Sequence, residues 1–222
     1  MRMEEMTKVK ICGLIRAEDA EAVNSAGAEY AGFVFADSRR KVTHEEAAEI
    51  RKKFDPGVTA VGVFVDADED EIAELTEAGT IDMVQLHGSE DDGYIERVKK
   101  RTGCPVIKAI KLGPESGVAK AFLQNGAEIE EVSDADVLKQ KILSANDSPA
   151  DYIMFDAGKG CGRTFDWKAL KAVRSSITKP FFLAGGLKPG NAAEAVRELG
   201  PYAADVSGGV EGSDGYKDKT LI

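Results

Sequence analysis

The feature that most constrains the fold is a repeated alternation: short β-branched and aromatic runs are followed by charged segments with helical period. Helices are predicted between the strands, for example one over His44–Phe54 that Thr43 can cap. About eight such units favour an α/β closed parallel (β/α)8 barrel, a TIM barrel, over an open doubly wound sheet. The predicted strands are Val9–Cys12, Tyr30–Phe35, Thr59–Val65, Met83–Leu86, Pro105–Ile110, Tyr152–Phe155, Pro180–Ala184 and Ala204–Val206.

Two stretches depart from this alternation. Residues Gln124–Ala150 are polar, acidic and longer than one connection needs, and a helix is predicted over Asp134–Leu143. We interpret this stretch as an insertion in the fifth unit, so that residues 1–222 form one barrel domain. Few residues follow the turn-like segment Gly212–Lys217, which predicts a short or missing last helix.

Composition excludes several classes of function. The formal net charge of -10 argues against binding to nucleic acid or to anionic membranes, because both need a positive field. Three cysteines describe no disulfide framework, and no His/Cys pair has the spacing of a zinc site. The segment Met1–Lys10 is polar, unlike a signal peptide, and no apolar run is long enough to span a membrane. We therefore expect a cytoplasmic protein without a metal site.

Cys12 stands at the end of the first predicted strand, directly before Gly13. In barrels of this kind, working residues sit where strands end and the following loops begin. Lys10 and Cys12 share one face of the strand, so the ammonium is expected to lower the thiol pKa below that of a free cysteine. Position alone leaves two interpretations open, an activated thiol or a small buried apolar residue.

Asp156 follows the apolar run Tyr152–Phe155, so its carboxyl group is expected to be desolvated and to have a raised pKa, as a general acid requires. The alternative is a capping or ion-paired Asp, with Lys159 or Arg163 as its partner. The loop over residues 157–163 superficially resembles a dinucleotide fingerprint. Arg163 occupies the third glycine position, so nucleotide binding there is rejected.

Glycine-rich loops follow the last two predicted strands, where barrels often hold phosphate on backbone N–H groups. Tight turns without a ligand are the alternative interpretation. The candidates for phosphate binding are Gly185 and Gly186 after the seventh strand, and Ser207, Gly208 and Gly209 after the eighth.

Other polar residues near the strand ends are less specific. Arg39 and Arg40 follow the second strand and are candidates for an anionic substrate group, with solvated surface as the alternative. His87 ends the fourth strand, where a hydrogen-bonded packing role is preferred. Cys104 begins the fifth strand, away from these loops, and is expected to be inert, while Cys161 has no assigned role.

Taken in order, these segments resemble the phosphoribosylanthranilate isomerase family. The similarity extends from about Lys8 to about Asp218, and the motifs are specific as an ordered set. The matching stretches are Lys10–Leu14, Gly32–Phe35, Val61–Val65, Gln85–Gly88, Ile107–Ala109, Phe155–Asp156, Thr164–Trp167, Ala184–Pro189, Asp205–Ser207, Val210–Glu211 and Lys217–Asp218.

The resemblance implies an enzyme of tryptophan biosynthesis that needs no cofactor. Its reaction is the Amadori rearrangement of N-(5-phosphoribosyl)anthranilate to 1-(o-carboxyphenylamino)-1-deoxyribulose 5-phosphate. The family pattern places the general base at Cys12 and the general acid at Asp156. It places the anthranilate carboxylate at Arg40, with Arg39 as second candidate, assigns His87 and Asp205 to substrate binding, and assigns the five loop residues above to phosphate. A phosphosugar substrate is the expected partner, and a monomer or homodimer the expected assembly.

The sequence departs from the family pattern in the loop after the sixth strand, where Lys159 and Cys161 replace small residues, and after the eighth, where Ser207-Gly208-Gly209 replaces Ser-Ser-Gly.

Three alternative functions stay open. The related isomerase of histidine biosynthesis works with two aspartates, which Cys12 disfavours. Indole-glycerol-phosphate synthase needs a lysine acid, for which no match is evident. A catalytically silent barrel that binds a phosphorylated ligand is the third.

Overall fold

Eight parallel strands form a closed barrel, in which each strand pairs with its neighbours in chain order and β8 returns to β1. The structure is a computed structural model, described here for residues 6–112, 134–156 and 167–222. The barrel prediction is therefore confirmed, and the open sheet is excluded. The strands are β1 (Lys8–Cys12), β2 (Tyr30–Val34), β3 (Thr59–Phe64), β4 (Met83–Leu86), β5 (Val106–Lys111), β6 (Tyr152–Asp156), β7 (Phe181–Ala184) and β8 (Ala203–Val206).

Seven α-helices within the described ranges surround the barrel. The Thr43 cap is confirmed, since its hydroxyl accepts the Glu46 N–H at 3.1 Å while the Glu46 carboxylate accepts the Thr43 N–H at 2.8 Å. This reciprocal pair satisfies donors that the helix itself leaves free. The helices are α1 (Ala17–Ala26), α2 (His44–Arg51), α3 (Glu69–Glu77), α4 (Asp92–Thr102), α5 (Asp134–Asp147), α6 (Trp167–Ala172) and α7 (Ala192–Leu199).

Two strands begin one residue later than the sequence predicts. Pro105 and Pro180 precede β5 and β7 because proline has no N–H to donate to a ladder. Their carbonyl groups still accept the N–H groups of Val84 and Ile153. The helix predicted over Asp134–Leu143 extends to Asp147. The rest of the proposed insertion, before this helix, lies outside the described residues.

The barrel has two apolar layers. The outer layer lies between strands and helices, and along β6 it contains Phe155, which is completely buried. Met154, one residue earlier, belongs to the inner layer instead, as strand alternation requires. The side chain of Asp156, two residues further along β6, therefore faces the barrel interior as that of Met154 does. The inner layer comprises Tyr30, Val61, Met83, Ile107, Ala109, Met154, Phe182, Ala184 and Ala203.

No α-helix follows β8 in the described part of the chain, in agreement with the prediction. A 3₁₀ turn over Gly208–Val210 leads instead into a segment in which Glu211 and Lys217 form a β-bridge. The Asp218 N–H donates to the Val210 carbonyl at 2.9 Å, and the terminal residues Leu221 and Ile222 pack on the outer core. This segment covers the place that a last helix would take.

Glu211 anchors the C-terminal segment to the barrel. Its side chain is 6% exposed and accepts hydrogen bonds from Arg40 at 2.5 Å, from Lys217 at 3.1 Å and from Arg39. Burial alone would raise the pKa of the Glu211 carboxyl, but Arg40, Lys217 and Arg39 together lower it to about 2. A lowered pKa in the folded state means that ionisation of Glu211 stabilises the fold.

We predict that Glu211→Gln loses about 3 kcal/mol of unfolding free energy at neutral pH, since it leaves buried cations uncompensated. The contribution of a depressed carboxyl group is complete above its unfolded pKa, near 4.5, and disappears as pH falls towards about 2. The difference between variant and parent should therefore shrink through this range in urea unfolding followed by circular dichroism. Exposed Glu96→Gln is the control, and a difference that is constant with pH would contradict the assignment.

Candidate active site

Four of the proposed site residues meet at one end of the barrel. Cys12 and Asp156 are the last residues of β1 and β6, His87 directly follows β4, and Asp205 lies in β8. Parallel strands all end at the same rim, so strand order places these side chains around one mouth. The alternation along each strand then turns them towards the barrel interior.

A buried ion pair lies beneath Cys12. Lys10 is fully buried, and its Nζ lies 3.0 Å from Oδ1 of Asp205, which is 8% exposed. The two residues are register partners on β1 and β8, so the pair bridges the strands that close the barrel. The same ammonium lowers the pKa of the Cys12 thiol, so one buried charge acts on both a carboxylate and a sulfur.

The balance of charge and burial at Cys12 corrects one expectation. Lys10 acts on the thiol in the predicted direction, but burial is the larger effect, and the pKa of Cys12 is raised above its ordinary value of 9.0. Burial alone would lower the pKa of Lys10, but Asp205 and Cys12 outweigh it and raise the pKa. The ammonium is therefore charged, while Cys12 is a thiol at neutral pH.

Asp156 is held by His87 across the barrel mouth. Oδ2 of Asp156 lies 3.1 Å from Nε2 of His87, and the two side chains are 22% and 20% exposed. The interpretation of His87 as a packing residue is too narrow, because the ring contacts the proposed acid. The predicted partners Lys159 and Arg163 lie outside the described residues.

One layer below, two further side chains meet. Nε2 of Gln85 lies 3.2 Å from Nδ1 of His87 and 3.3 Å from Sδ of Met154. Because β4 and β6 are separated by β5, the contact between Gln85 and Met154 crosses the interior of the barrel. Gln85 and Met154 precede His87 and Asp156 by two residues each, so both layers use the same inward positions.

Arg40 is buried rather than solvated, and only 6% of it is exposed. Its Nε donates to Glu211, while its Nη2 is buried without an acceptor among the described residues. Its aliphatic stem lies over Gly13, where a Cβ would overlap Arg40 Cδ and where φ is +81°. Glycine is needed there for Arg40 to approach the end of β1. Arg39 is half exposed and is the outer partner of Glu211.

The two glycine-rich loops touch one another. A Cβ on Gly209 would overlap the carbonyl oxygen of Leu187, so the loop after β8 lies directly on the loop after β7. The Ser207 hydroxyl donates to the Cys12 carbonyl at 2.9 Å, and Gly208 lies beside Nη2 of Arg40. Gly185 and Gly186 both have positive φ. The candidate phosphate residues thus form one surface next to β1.

Other residues stay apart from this mouth. Cys104 precedes β5 at the opposite end of the strands, where burial raises its thiol pKa. Cys161 lies outside the described residues. Within the described ranges no group of three or more His, Cys, Asp or Glu side chains has the arrangement of a metal site. None of the described helices combines the length and apolar character that a membrane crossing needs.

Sequence reasoning named Gln85, Lys217 and Glu211 within motifs but assigned them no task, and it missed Met154. For Gln85 and Met154 the sequence does contain a signal, which is their spacing from other candidate residues. Gln85 and Met154 each stand two residues before a candidate polar residue, which places them on the same strand face. Glu211 and Lys217 carried no comparable signal, because their contact with Arg40 depends on the path of the C-terminal segment.

Comparison with known proteins agrees with the fold and with the motifs. Residues 9–222 match the family model described as N-(5'phosphoribosyl)anthranilate (PRA) isomerase. The N-(5'-phosphoribosyl)anthranilate isomerase of Endomicrobium trichonymphae is 43% identical, with 98% of this chain and 95% of the relative covered. The enzyme of that name from Streptococcus gordonii is 41% identical, with 98% and 94% covered.

Solved structures give the same result. The phosphoribosyl anthranilate isomerase from Thermotoga maritima superposes with a TM-score of 0.78 at 31% identity, covering 97% of this chain and 95% of that one. A structure of such an isomerase with reduced 1-(o-carboxyphenylamino)-1-deoxyribulose 5-phosphate has a TM-score of 0.76 at 30% identity, with 97% and 94% covered. The chain therefore belongs to the N-(5'-phosphoribosyl)anthranilate isomerase family, which carries out the isomerase step of tryptophan biosynthesis.

Proposed function

We propose that the isomerase reaction takes place at this mouth, with Cys12 as general base and Asp156 as general acid. The observation that carries the proposal is that both side chains end strands on the inner face of one barrel. They stand on β1 and β6, three strand positions apart around the rim. Two separated groups suit a reaction in which protons move at two places on one sugar.

Asp156 acts first in the proposed mechanism. Its carboxylic acid protonates the furanose ring oxygen, the bond from that oxygen to C1′ breaks, and an iminium ion forms with the anthranilate nitrogen. Asp156 is left as a carboxylate, which His87 stabilises through its Nε2–H at 3.1 Å.

Cys12 then removes the proton from C2′ of the iminium ion, and the resulting enolamine tautomerises to the ketone. The raised thiol pKa means that the thiolate is a minor form but a strong base. The nearby Lys10 ammonium stabilises the thiolate when it forms. Burial and charge are therefore opposed at this residue, and the base is not a permanently ionised thiol.

The substrate's two anionic ends have separate candidate partners. Gly185, Gly186, Ser207, Gly208 and Gly209 are proposed to hold the phosphate, since their loops adjoin and expose backbone N–H groups. Arg40 is proposed to bind the anthranilate carboxylate, and its buried Nη2 is the donor that Glu211 leaves available. Asp205 is proposed to contact the sugar from β8. The structure of a relative with a reduced product analogue supports a phosphosugar ligand.

The assembly is proposed to be a monomer or a homodimer in the cytoplasm. A relative from Thermotoga maritima is described as a dimeric isomerase from which monomers have been generated. Both forms are therefore compatible with this fold. The acid and base proposed here all come from one chain, so neither form is required for the reaction. No cofactor is part of the proposed mechanism, because proton transfer alone accounts for the bond changes.

We predict that Cys12→Ala and Asp156→Asn each lower kcat by about 10²–10⁴-fold, the usual contribution of a positioned acid or base. Freshly made phosphoribosylanthranilate, followed by anthranilate fluorescence, provides the assay. Cys104→Ala is the matched control and should retain the parent rate, because this thiol lies at the far end of the strands. Rates within a few-fold of the parent in both test variants would contradict the proposed mechanism.

A second prediction concerns pH. Because the Cys12 pKa is raised, the midpoint of its alkylation by iodoacetamide should lie above 9.0, and kcat/KM should still be rising with pH through the neutral range. Mass spectrometry of the labelled peptide separates Cys12 from the other cysteines. Lys10→Met should shift the midpoint upwards, since it removes the ammonium that lowers this pKa. A midpoint below 9.0 would instead show a thiol activated in the free enzyme.

A further inference from the structure

A row of four side chains connects the barrel interior to the proposed acid. Sδ of Met154 lies 3.3 Å from Nε2 of Gln85, which lies 3.2 Å from Nδ1 of His87, whose Nε2 lies 3.1 Å from Oδ2 of Asp156. Gln85 is 1% exposed and Met154 is completely buried. None of the steps proposed above uses Gln85 or Met154.

The sulfur of Met154 decides which way the Gln85 amide faces. A thioether sulfur accepts hydrogen bonds and cannot donate them, so the atom beside it must be the amide NH₂. This orientation leaves Oε1 of Gln85 buried without a donor among the described residues. Most buried polar atoms in folded proteins have a hydrogen-bond partner, so an exception such as this one calls for an explanation.

The orientation of Gln85 in turn decides where His87 carries its proton. An amide N–H faces Nδ1, so Nδ1 must be the acceptor and cannot hold a proton itself. A neutral imidazole then has its single proton on Nε2. The imidazolium form is disfavoured as well, because its Nδ1–H would face the amide N–H.

We propose that Gln85, oriented by Met154, is a positioning residue that holds His87 as the neutral Nε2–H tautomer and so directs the acidic proton of Asp156 to Oδ1. Oδ2 accepts from His87 in both protonation states of the carboxyl group. The proton that is transferred must therefore be on the other oxygen. This inference rests on the proposed role of Asp156 as acid.

Neutrality of His87 has a second consequence for the acid. An imidazolium ion this close would favour the carboxylate form of Asp156 and remove the proton that the first step needs. Among the described residues, Asp205 also acts on this pair, and it is itself ion-paired with Lys10 at 3.0 Å. Gln85 thus lets His87 hold the acid in place without making it permanently ionised.

The tautomer can be read directly by NMR, without substrate. The chain contains two histidines, His44 and His87, so long-range ¹H–¹⁵N correlations need only a His44→Gln variant for assignment. The parent protein should show His87 as neutral and protonated on Nε2 at neutral pH. Gln85→Glu places acceptors at Nδ1 and should move the ring to a form protonated on Nδ1. Met154→Leu preserves volume but removes the sulfur, and should give a mixture of forms.

The same variants are then assayed. Gln85→Glu should lower kcat by at least about tenfold while KM changes by less than about twofold, because ground-state binding is not involved. A parent protein with His87 protonated on Nδ1, or an unchanged ring form in both variants, would overturn the proposal. So would a changed ring form with the parent kcat. A parent rate in Asp156→Asn would contradict the acid role instead, and the substrate-free tautomer measurement separates these two failures.

Discussion

The buried ion pair between Lys10 and Asp205 is the interaction on which the rest of the structure depends. It joins register partners on β1 and β8, the two strands whose pairing turns an eight-stranded sheet into a barrel. Lys10 is fully buried, so each member of the pair is tolerated only because the other is present. The C-terminal segment, held by Glu211, covers the same seam where other barrels have a helix.

The chemistry of the mouth follows from this pair. Burial, the largest effect, raises the pKa of the Cys12 thiol; Lys10 lowers it and Asp205 raises it, so that it lies above its ordinary value. On the other side of the mouth, the proposed acid Asp156 is held by His87, which in turn contacts the Gln85 amide. Charge is thus concentrated under Cys12, where Lys10 and Asp205 form the buried pair. The buried ammonium suits the proposed role of Cys12 as general base, since a nearby cation stabilises the thiolate when it forms.

Strand order, the barrel and the positions of Cys12 and Asp156 could be predicted, because they depend on local periodicity and on ordered motifs. The direction in which the pKa of the Cys12 thiol shifts could not be predicted, because it depends on how deeply the thiol is buried as well as on the presence of Lys10. The contact of Gln85 with Met154 joins residues 69 positions apart on strands that are not neighbours. The engagement of Arg40 by Glu211 joins residues 171 positions apart through an irregular segment. Strand alternation indicates that Gln85 and Met154 face inwards but does not show that they touch, and the contact of Arg40 with Glu211 has no periodic signal.

The most direct test of the central claim is a double-mutant cycle on the ion pair, measured by urea unfolding. Lys10→Met and Asp205→Leu should each lose about 3–5 kcal/mol, since each leaves one buried charge uncompensated. The double variant should be more stable than either single variant, because it removes both charges, and it should remain inactive. If the losses of unfolding free energy in the two single variants simply added in the double variant, the structure would not depend on the ion pair between Lys10 and Asp205.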